Sequence, residues 1–321
     1  MEKDSQELFE GAGETPDEET APVIETVEAV EHEAPNETPA AEEPAESEPI
    51  EAEQPAASET PAVPHAYPRR ENAQPPLERL GTASAHIPES EAILSCRGLS
   101  KNYAEFPALV NLNLNVKAGG IVGLLGPNGS GKSTFIKLAM GMLQPSAGEI
   151  FVNGMKPCAK TKAVTAYLPD ANYLCNWMRV EQQVNYYRDF FPDFRMDRAE
   201  AMLSRLGIGM KQKIKALSKG NKEKLGLILT MSRDAKLYIL DEPIAGVDPA
   251  AREFILDTVL QNKPEEATIF LCTHLIADIE PILTHAIFLS RGQIVLDASM
   301  QDVREKEGRS LDELFREVFR W

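Results

Sequence analysis

Gly126-Pro127-Asn128-Gly129-Ser130-Gly131-Lys132-Ser133-Thr134 fits the pattern G-x-x-x-x-G-K-[ST], and its neighbours decide how the chain around it folds. The apolar run Ile121-Val122-Gly123-Leu124-Leu125 precedes it and reads as a buried strand, and residues 135–140 read as the helix that follows. Three glycines let the backbone turn its N–H groups inward around phosphate oxygens, and a helix N-terminus adds a favourable dipole. Lys132 is then expected to reach the β- and γ-phosphates, with the Ser133 hydroxyl on Mg²⁺. A glycine-rich surface turn needs neither the strand nor the helix in register. The run therefore predicts a nucleoside triphosphate site built from residues 126–134.

Charge divides the 321 residues near position 90. Residues 1–90 hold 23 acidic against 4 basic side chains and 13 of the 23 prolines, a net charge of −19. The rest is nearly neutral, at +2, so the overall −17 belongs to the first segment. Low hydrophobicity, self-repulsion and proline cannot offset chain entropy, which predicts a disordered acidic tail over 1–90. Its role is left between an inert spacer and a tether to a basic surface. The start Met1-Glu2-Lys3-Asp4 carries no apolar signal region, and no stretch approaches the length of apolar residues that a membrane span needs. Cys96, Cys158, Cys175 and Cys272 lie far apart, and read as reduced thiols of a cytoplasmic protein rather than disulfides or metal ligands.

Outward from the loop, Leu112, Leu114 and Val116 alternate with polar residues, as in a half-buried antiparallel strand. A turn at Gln144-Pro145-Ser146-Ala147-Gly148 leads to another strand through Phe151. From about residue 172 to 217 the pattern turns helical, with Val180, Val184 and Tyr187 on one face and Ala199, Met202, Leu203 and Leu206 on another, Gly207 standing as C-cap. Strands then return at 236–240 and 268–272, with a helix from Pro249 between them and a hairpin over 286–296 after them. Such alternation implies a largely parallel α/β sheet with its ligand beyond the carboxyl ends of the strands.

The strand Leu237-Tyr238-Ile239-Leu240 ends in Asp241-Glu242. Successive strand residues point to opposite sides, so the two carboxylates are expected to take different work. Asp241 suits the Mg²⁺ shell and Glu242 suits a general base facing the attacking water. Further on, Leu217-Ser218-Lys219-Gly220-Asn221 stands before a helical run over 225–231.

With these residues in order, the stretch 92–300 resembles the nucleotide-binding subunit of an ATP-binding cassette (ABC) transporter. The loop reads as that family's Walker A, Asp241-Glu242 as its Walker B, and residues 217–221 stand where the family has LSGGQ. Ala245-Gly246-Val247-Asp248 matches the D-loop, Thr273-His274 the switch histidine, and Tyr103 the aromatic that stacks on adenine. The resemblance implies a P-loop NTPase of ABC ATPase type. It has a mostly parallel sheet, an N-terminal antiparallel β subdomain, an inserted helical subdomain (about 172–217), and a cassette over 91–300 with a helical extension over 301–321. It implies ATP and Mg²⁺ as ligands, with Ser133, Asp241 and Asp170 around the metal, Asp241 through water. It further implies a head-to-tail homodimer or heterodimer in which Ser218, Lys219, Gly220 and Asn221 meet the partner's ATP. His274 then holds the γ-phosphate and the attacking water near Glu242.

Two departures stand out. Lys219 and Asn221 replace the family's glycine and glutamine, and the Lys219 head points either to the phosphate or to solvent. In Tyr167-Leu168-Pro169-Asp170 a carboxylate takes the place of the Q-loop glutamine, which alters the charge near the γ-phosphate without removing ATP binding. Glu242, Lys132 and His274 are present, so a competent ATPase is expected.

Without an encoded span, the transporter reading requires separate permease subunits. It places the protein on the inner face of the cell membrane, with residues 172–188, including Tyr173, Trp177 and Met178, toward the permease. Those aromatics are otherwise core of the helical subdomain. The signature and Q-loop variants resemble bacterial exporter-type subunits. The competing class is a soluble ABC ATPase acting on ribosomes or DNA, but one cassette, no sustained heptads and no basic stripe speak against nucleic acid. His285 has no motif around it and reads as structural. Residues 311–319 place Leu311, Leu314, Phe315, Val318 and Phe319 on one helical face, for packing on the cassette or for a partner.

Overall fold

The computed structural model describes residues 87–88 and 91–319, so the expectation for the acidic tail falls almost wholly outside the described residues. Strand β1 (Ala92–Tyr103) turns at Ala104 and Glu105 into β2 (Phe106–Lys117), where Leu112, Leu114 and Val116 are buried and Asn111 and Asn113 are exposed. That alternation is the one read from the sequence, and it arises because one face of the pair packs while the other meets water. Next come β3 (Ile121–Leu125), buried along its whole length, the phosphate loop and α1 (Lys132–Ala139). Strand β4 (Ala147–Val152) then joins the free edge of β1, giving a three-stranded antiparallel sheet in the order β2-β1-β4.

A short helix α2 (Ala159–Ala163) leads into β5 (Thr165–Leu168). The inserted helices are α3 (Val180–Phe190) and α4 (Met196–Arg205), followed by a 3₁₀ turn over Ile214–Ala216 and by α5 (Lys219–Met231). Val180, Val184, Ala199, Met202 and Leu203 are buried, as their spacing required, and Gly207 takes φ of +65° just past α4. Strand β6 (Leu237–Asp241), α6 (Pro249–Asn262), β7 (Thr268–Thr273) and a short α7 (Ile276–Ile279) follow. The hairpin of β8 (His285–Ser290) and β9 (Gln293–Ser299), a turn of helix α8 (Met300–Asp302) and α9 (Leu311–Val318) complete the order.

Six strands form the second sheet in the order β5-β6-β7-β3-β8-β9, with β9 antiparallel and all other neighbours parallel. Strands β3, β6 and β7 are buried along their whole length, which is why they read as continuous apolar runs. Leu237 and Ile239 pack with α1 and the antiparallel sheet, whereas Tyr238 and Leu240 pack with the inserted helices, α5 and α9. Helix α9 buries Leu311 and Leu314, and the Phe315 and Phe319 rings meet Phe288 at 5.3 and 5.9 Å. Its packing on the chain's own core is thereby settled.

Candidate functional site

The loop after β3 owes its shape to glycine. Gly131 takes φ of +112° at the start of α1, and a Cβ there would stand 2.7 Å from both the Ala108 carbonyl oxygen and a Leu109 methyl. At Gly126 a Cβ would lie 2.3 Å from the Leu289 carbonyl oxygen. Lys132 is buried, and its ammonium donates to the carbonyls of Gly126 (2.7 Å) and Pro127 (3.2 Å), so the lysine braces the loop that carries it. The first-turn N–H groups of α1 have no acceptor within the helix, and they open onto the cleft beside residues 128–134.

That cleft encloses about 290 Å³. It is lined by Tyr103 and Phe106, by Ala108 and residues 128–134, and by Asp170, Asp241 and Glu242. The structure thus gathers at one place the aromatic, residues 128–134 of the phosphate loop and three of the four carboxylates singled out from the sequence, Asp170, Asp241 and Glu242. Phe106 was not among them. It pairs with Tyr103 across the β1–β2 turn and is 66 % exposed, making a second flat apolar wall. The signal was present in the Tyr-x-x-Phe spacing, but only the turn sets the two residues opposite each other.

The carboxylates do not sit as strand alternation predicted. Asp241 is the last residue of β6 and is buried, while Glu242 follows in the left-handed region with φ of +52°. The reversed backbone swings Glu242 to the same cleft as Asp241 instead of to the opposite side of the strand. Burial, with the charges of Asp170 and Glu242 close by, pushes the Asp241 carboxyl up to about 6. Mutual repulsion of this kind is what a bound cation relieves. Among the described residues no cluster of three or more His, Cys, Asp or Glu suffices to hold a metal alone. Oxygen donors beside a phosphate loop fit Mg²⁺, which keeps several waters and shares its shell with phosphate oxygens. The hydroxyl of Ser133 and the Asp241 and Asp170 carboxylates line the same cleft and are the oxygen donors at hand.

His274, just after β7, places Nδ1 3.0 Å from Oε2 of Glu242. This joins the two candidate catalytic groups that lie 32 residues apart in sequence. His285 instead bonds buried Asp297 at 2.5 Å within the β8–β9 hairpin, away from these groups, in keeping with its structural reading.

Ser218, Lys219, Gly220, Asn221 and Asp248 do not line the cleft. Ser218 is the N-cap of α5 and accepts from the Asn221 N–H at 3.2 Å. The helix begins at Lys219, six residues before the run that the sequence suggested, so residues 219–221 form its first turn, with the Asn221 N–H taken up by the Ser218 cap and those of Lys219 and Gly220 without an acceptor inside the helix. Lys219 is 80 % exposed on its side chain, with its ammonium 3.8 Å from Glu223 and beside the Gly246 backbone of the D-loop. Of the aromatics after the Q-loop, Tyr173 packs inward, its hydroxyl donating to the Gly226 carbonyl at 3.0 Å, and Met178 packs on the core. Trp177 is 75 % exposed.

The ABC transporter family pattern matches residues 109–245, which run from β2 through the phosphate loop to the turn after Glu242. The ABC transporter ATP-binding protein YtrB of Bacillus subtilis is 30% identical over 217 residues, covering 67% of this chain and 74% of YtrB. The lantibiotic transport ATP-binding protein SrtF of Streptococcus pyogenes is 26% identical, covering 70% of this chain and 96% of SrtF. A solved ATP-binding subunit of an ABC transporter superposes with a TM-score of 0.64 at 28% identity, over 70% of this chain and 99% of that subunit.

Proposed function

The chain belongs to the ABC transporter ATP-binding family, as an ATP-binding and ATP-hydrolysing subunit, and we propose that it powers export through ATP-driven head-to-tail pairing and coupling to separate permease subunits. The observation that carries this reading is a division of parts. One cleft holds the phosphate loop and the carboxylates, while the signature turn opens from the same chain at a place outside that cleft. A second cassette turned head to tail would bring its Ser218 hydroxyl and the Gly220 N–H to the phosphates, completing a composite site.

Within that site Tyr103 stacks on adenine, residues 126–134 cradle the phosphates, and Lys132 leaves its carbonyl partners to share its charge with the β- and γ-phosphates. Ser133 and, through water, Asp241 and Asp170 would hold Mg²⁺, which would supply charge neutralisation at those oxygens. Glu242 accepts the proton of the attacking water, and the His274 ring, held at 3.0 Å from it, orients that water and the γ-phosphate. Asp248 and the D-loop lie at the dimer seam. Hydrolysis removes the charge that joins the two subunits.

No helix among the described residues is long and apolar enough to cross a membrane, which supports separate permease subunits and a peripheral place at the inner membrane face. Residues 172–188 are the surface offered to the permease. The likeness to a lantibiotic transport subunit supports export.

Glu242→Gln tests the reading. The variant is expected to bind ATP, to elute from a sizing column as a nucleotide-bound dimer, and to lose at least about a hundredfold in turnover. Undiminished hydrolysis removes Glu242 from the role of base. A monomer with saturated nucleotide sites removes the composite site.

A further inference from the structure

Two loops leave the carboxyl ends of the neighbouring parallel strands β6 and β7, where Asp241 pairs with Cys272. Glu242 opens the first loop and His274 the second, and their side chains meet at 3.0 Å. A second tie joins the same two loops away from the cleft. It runs through Arg252, in the first turn of α6. The Arg252 Nε donates to the Val247 carbonyl (3.3 Å), in the loop that Glu242 opens, and its Nη1 donates to Oδ2 of Asp278 (3.0 Å). Asp278 lies in the short α7 that follows His274, with Ile276 and Ile279 buried on either side of it.

Stability does not account for this arrangement. The Arg252 and Asp278 side chains are 31 % and 36 % exposed, and an ion pair so open to water adds little to folding. Geometry accounts for it better, because a guanidinium is a rigid planar fork whose two partners are fixed relative to each other. The Val247 end is tied back toward the base. There the Ala245 N–H donates to the Glu242 carbonyl (3.2 Å) and the Arg252 N–H to the Asp248 carbonyl (3.0 Å). On the other side the Leu275 N–H donates to the Thr273 hydroxyl (3.2 Å), across His274. Glu242, Val247, Arg252, Asp278 and His274 thus form a closed ring, of which only Glu242 lines the cleft.

We propose that Arg252 is a positioning residue, paired with Asp278 to hold the His274 ring at the distance from Glu242 that hydrolysis needs. This role rests on those given above to Glu242 and His274, and it needs neither a second cassette nor a permease. The two catalytic groups differ in how firmly they are seated. Glu242 is fixed by its own reversed backbone, and its side chain is 15 % exposed. His274 stands before a helix of a single turn, with its side chain 51 % exposed. Without the fork the ring is free to swing from the carboxylate, and a displacement of roughly 1 Å costs about a hundredfold in rate.

The test uses the full chain. In Arg252→Met and in the isosteric Asp278→Asn, kcat is expected to fall at least about tenfold while KM stays within about twofold. The double variant is expected to be no slower than the worse single one, because the two side chains act as a unit. In a His274→Ala background, Asp278→Asn is expected to cost less than about twofold, since no ring is left to position. A second reading needs no turnover. In the nucleotide-free protein with isotope-labelled histidine, the His274 ring signal is assigned by its loss in His274→Ala. That NMR signal is expected to move in both variants while the signal of His285 stays. Arg195→Gln, which breaks an exposed ion pair of the inserted helices, is expected to match the parent in both measurements. Parent-like turnover in Asp278→Asn, an unmoved His274 signal, or the full loss retained in the His274→Ala background overturns the positioning role. Undiminished hydrolysis by Glu242→Gln is a different failure, which takes away the base and the positioning role with it even where the His274 signal moves.

Discussion

Glu242 holds a conformation that costs an ordinary side chain about 1–2 kcal/mol. Its N–H donates to the Cys272 carbonyl at 2.8 Å and its own carbonyl accepts from Ala245 at 3.2 Å, so neighbours on both sides fix the reversal. The strain delivers the carboxylate to His274 and the cleft, and a sequence read in strand periods has no means of showing it. Gly131 is the opposite case, a residue whose need was visible. Gly131→Ala meets both the φ of +112° and the Ala108 carbonyl, so a loss of ATP affinity of at least about tenfold is expected by equilibrium binding, with the fold retained by circular dichroism. Affinity equal to the parent's would show that the loop yields. Thiol chemistry supplies a check on burial. Hydrogen bonding from the Thr161 N–H lowers exposed Cys158, while burial pushes Cys96 up to about 12 and raises Cys272 well above its ordinary value. The thiolate is the reacting form, so a lowered value means more of it at any given mildly alkaline pH. Iodoacetamide is therefore expected to label Cys158 well before Cys96 and Cys272, read by mass spectrometry of the digested native protein. Equal labelling of Cys96 would contradict its burial.

Among the elements, α5 and α9 show what a cap can do. Ser218 starts α5 at the point where the signature needs outward N–H groups, so one hydroxyl both ends the loop and sets the direction of the amides. The boundary was misplaced from sequence because Lys219, Gly220, Asn221 and Lys222 have no apolar period, and only Leu225 begins one. Helix α9 was legible, since Leu311, Leu314, Phe315 and Val318 recur on one face, and the structure adds a capping box of Ser310 with Glu313. Its seat was not legible. The Leu311 N–H donates to the Glu280 carboxylate at 2.8 Å, a contact across 31 residues that local pattern does not encode. Leu314→Ala is expected to destabilise the protein by about 2–5 kcal/mol, measured by thermal unfolding. A shift within error would mean that α9 is not part of the cooperative unit.

At the scale of the described molecule, the strands β3, β6 and β7 could each be read singly, because a strand buried on both faces is a plain apolar run. Their order could not. β3, which carries the phosphate loop, lies between β7 and β8 and pairs with residues some 150 to 165 positions further on. The β8–β9 hairpin reaches back still more directly. The Gly292 N–H donates to the Ser130 carbonyl at 2.8 Å and its carbonyl accepts from the Val110 N–H at 2.8 Å, at a φ of +76° where a Cβ would stand 2.6 Å from the Ala108 carbonyl oxygen. No motif marks Gly292, since it touches no ligand and acts only on the loop that does. This bracing has a consequence in time. A chain leaving the ribosome exposes its nucleotide loop more than 150 residues before the hairpin that steadies it has been made. Pairings so distant in sequence close late. A protein ending at residue 280 carries the loop, both carboxylates and His274, and it is nonetheless expected to bind no ATP in a fluorescent-nucleotide titration. Binding at the full chain's affinity would refute that order of events. Competence to take up nucleotide then arrives only once the hairpin has been made, and a nascent chain short of it draws nothing from the cell's ATP.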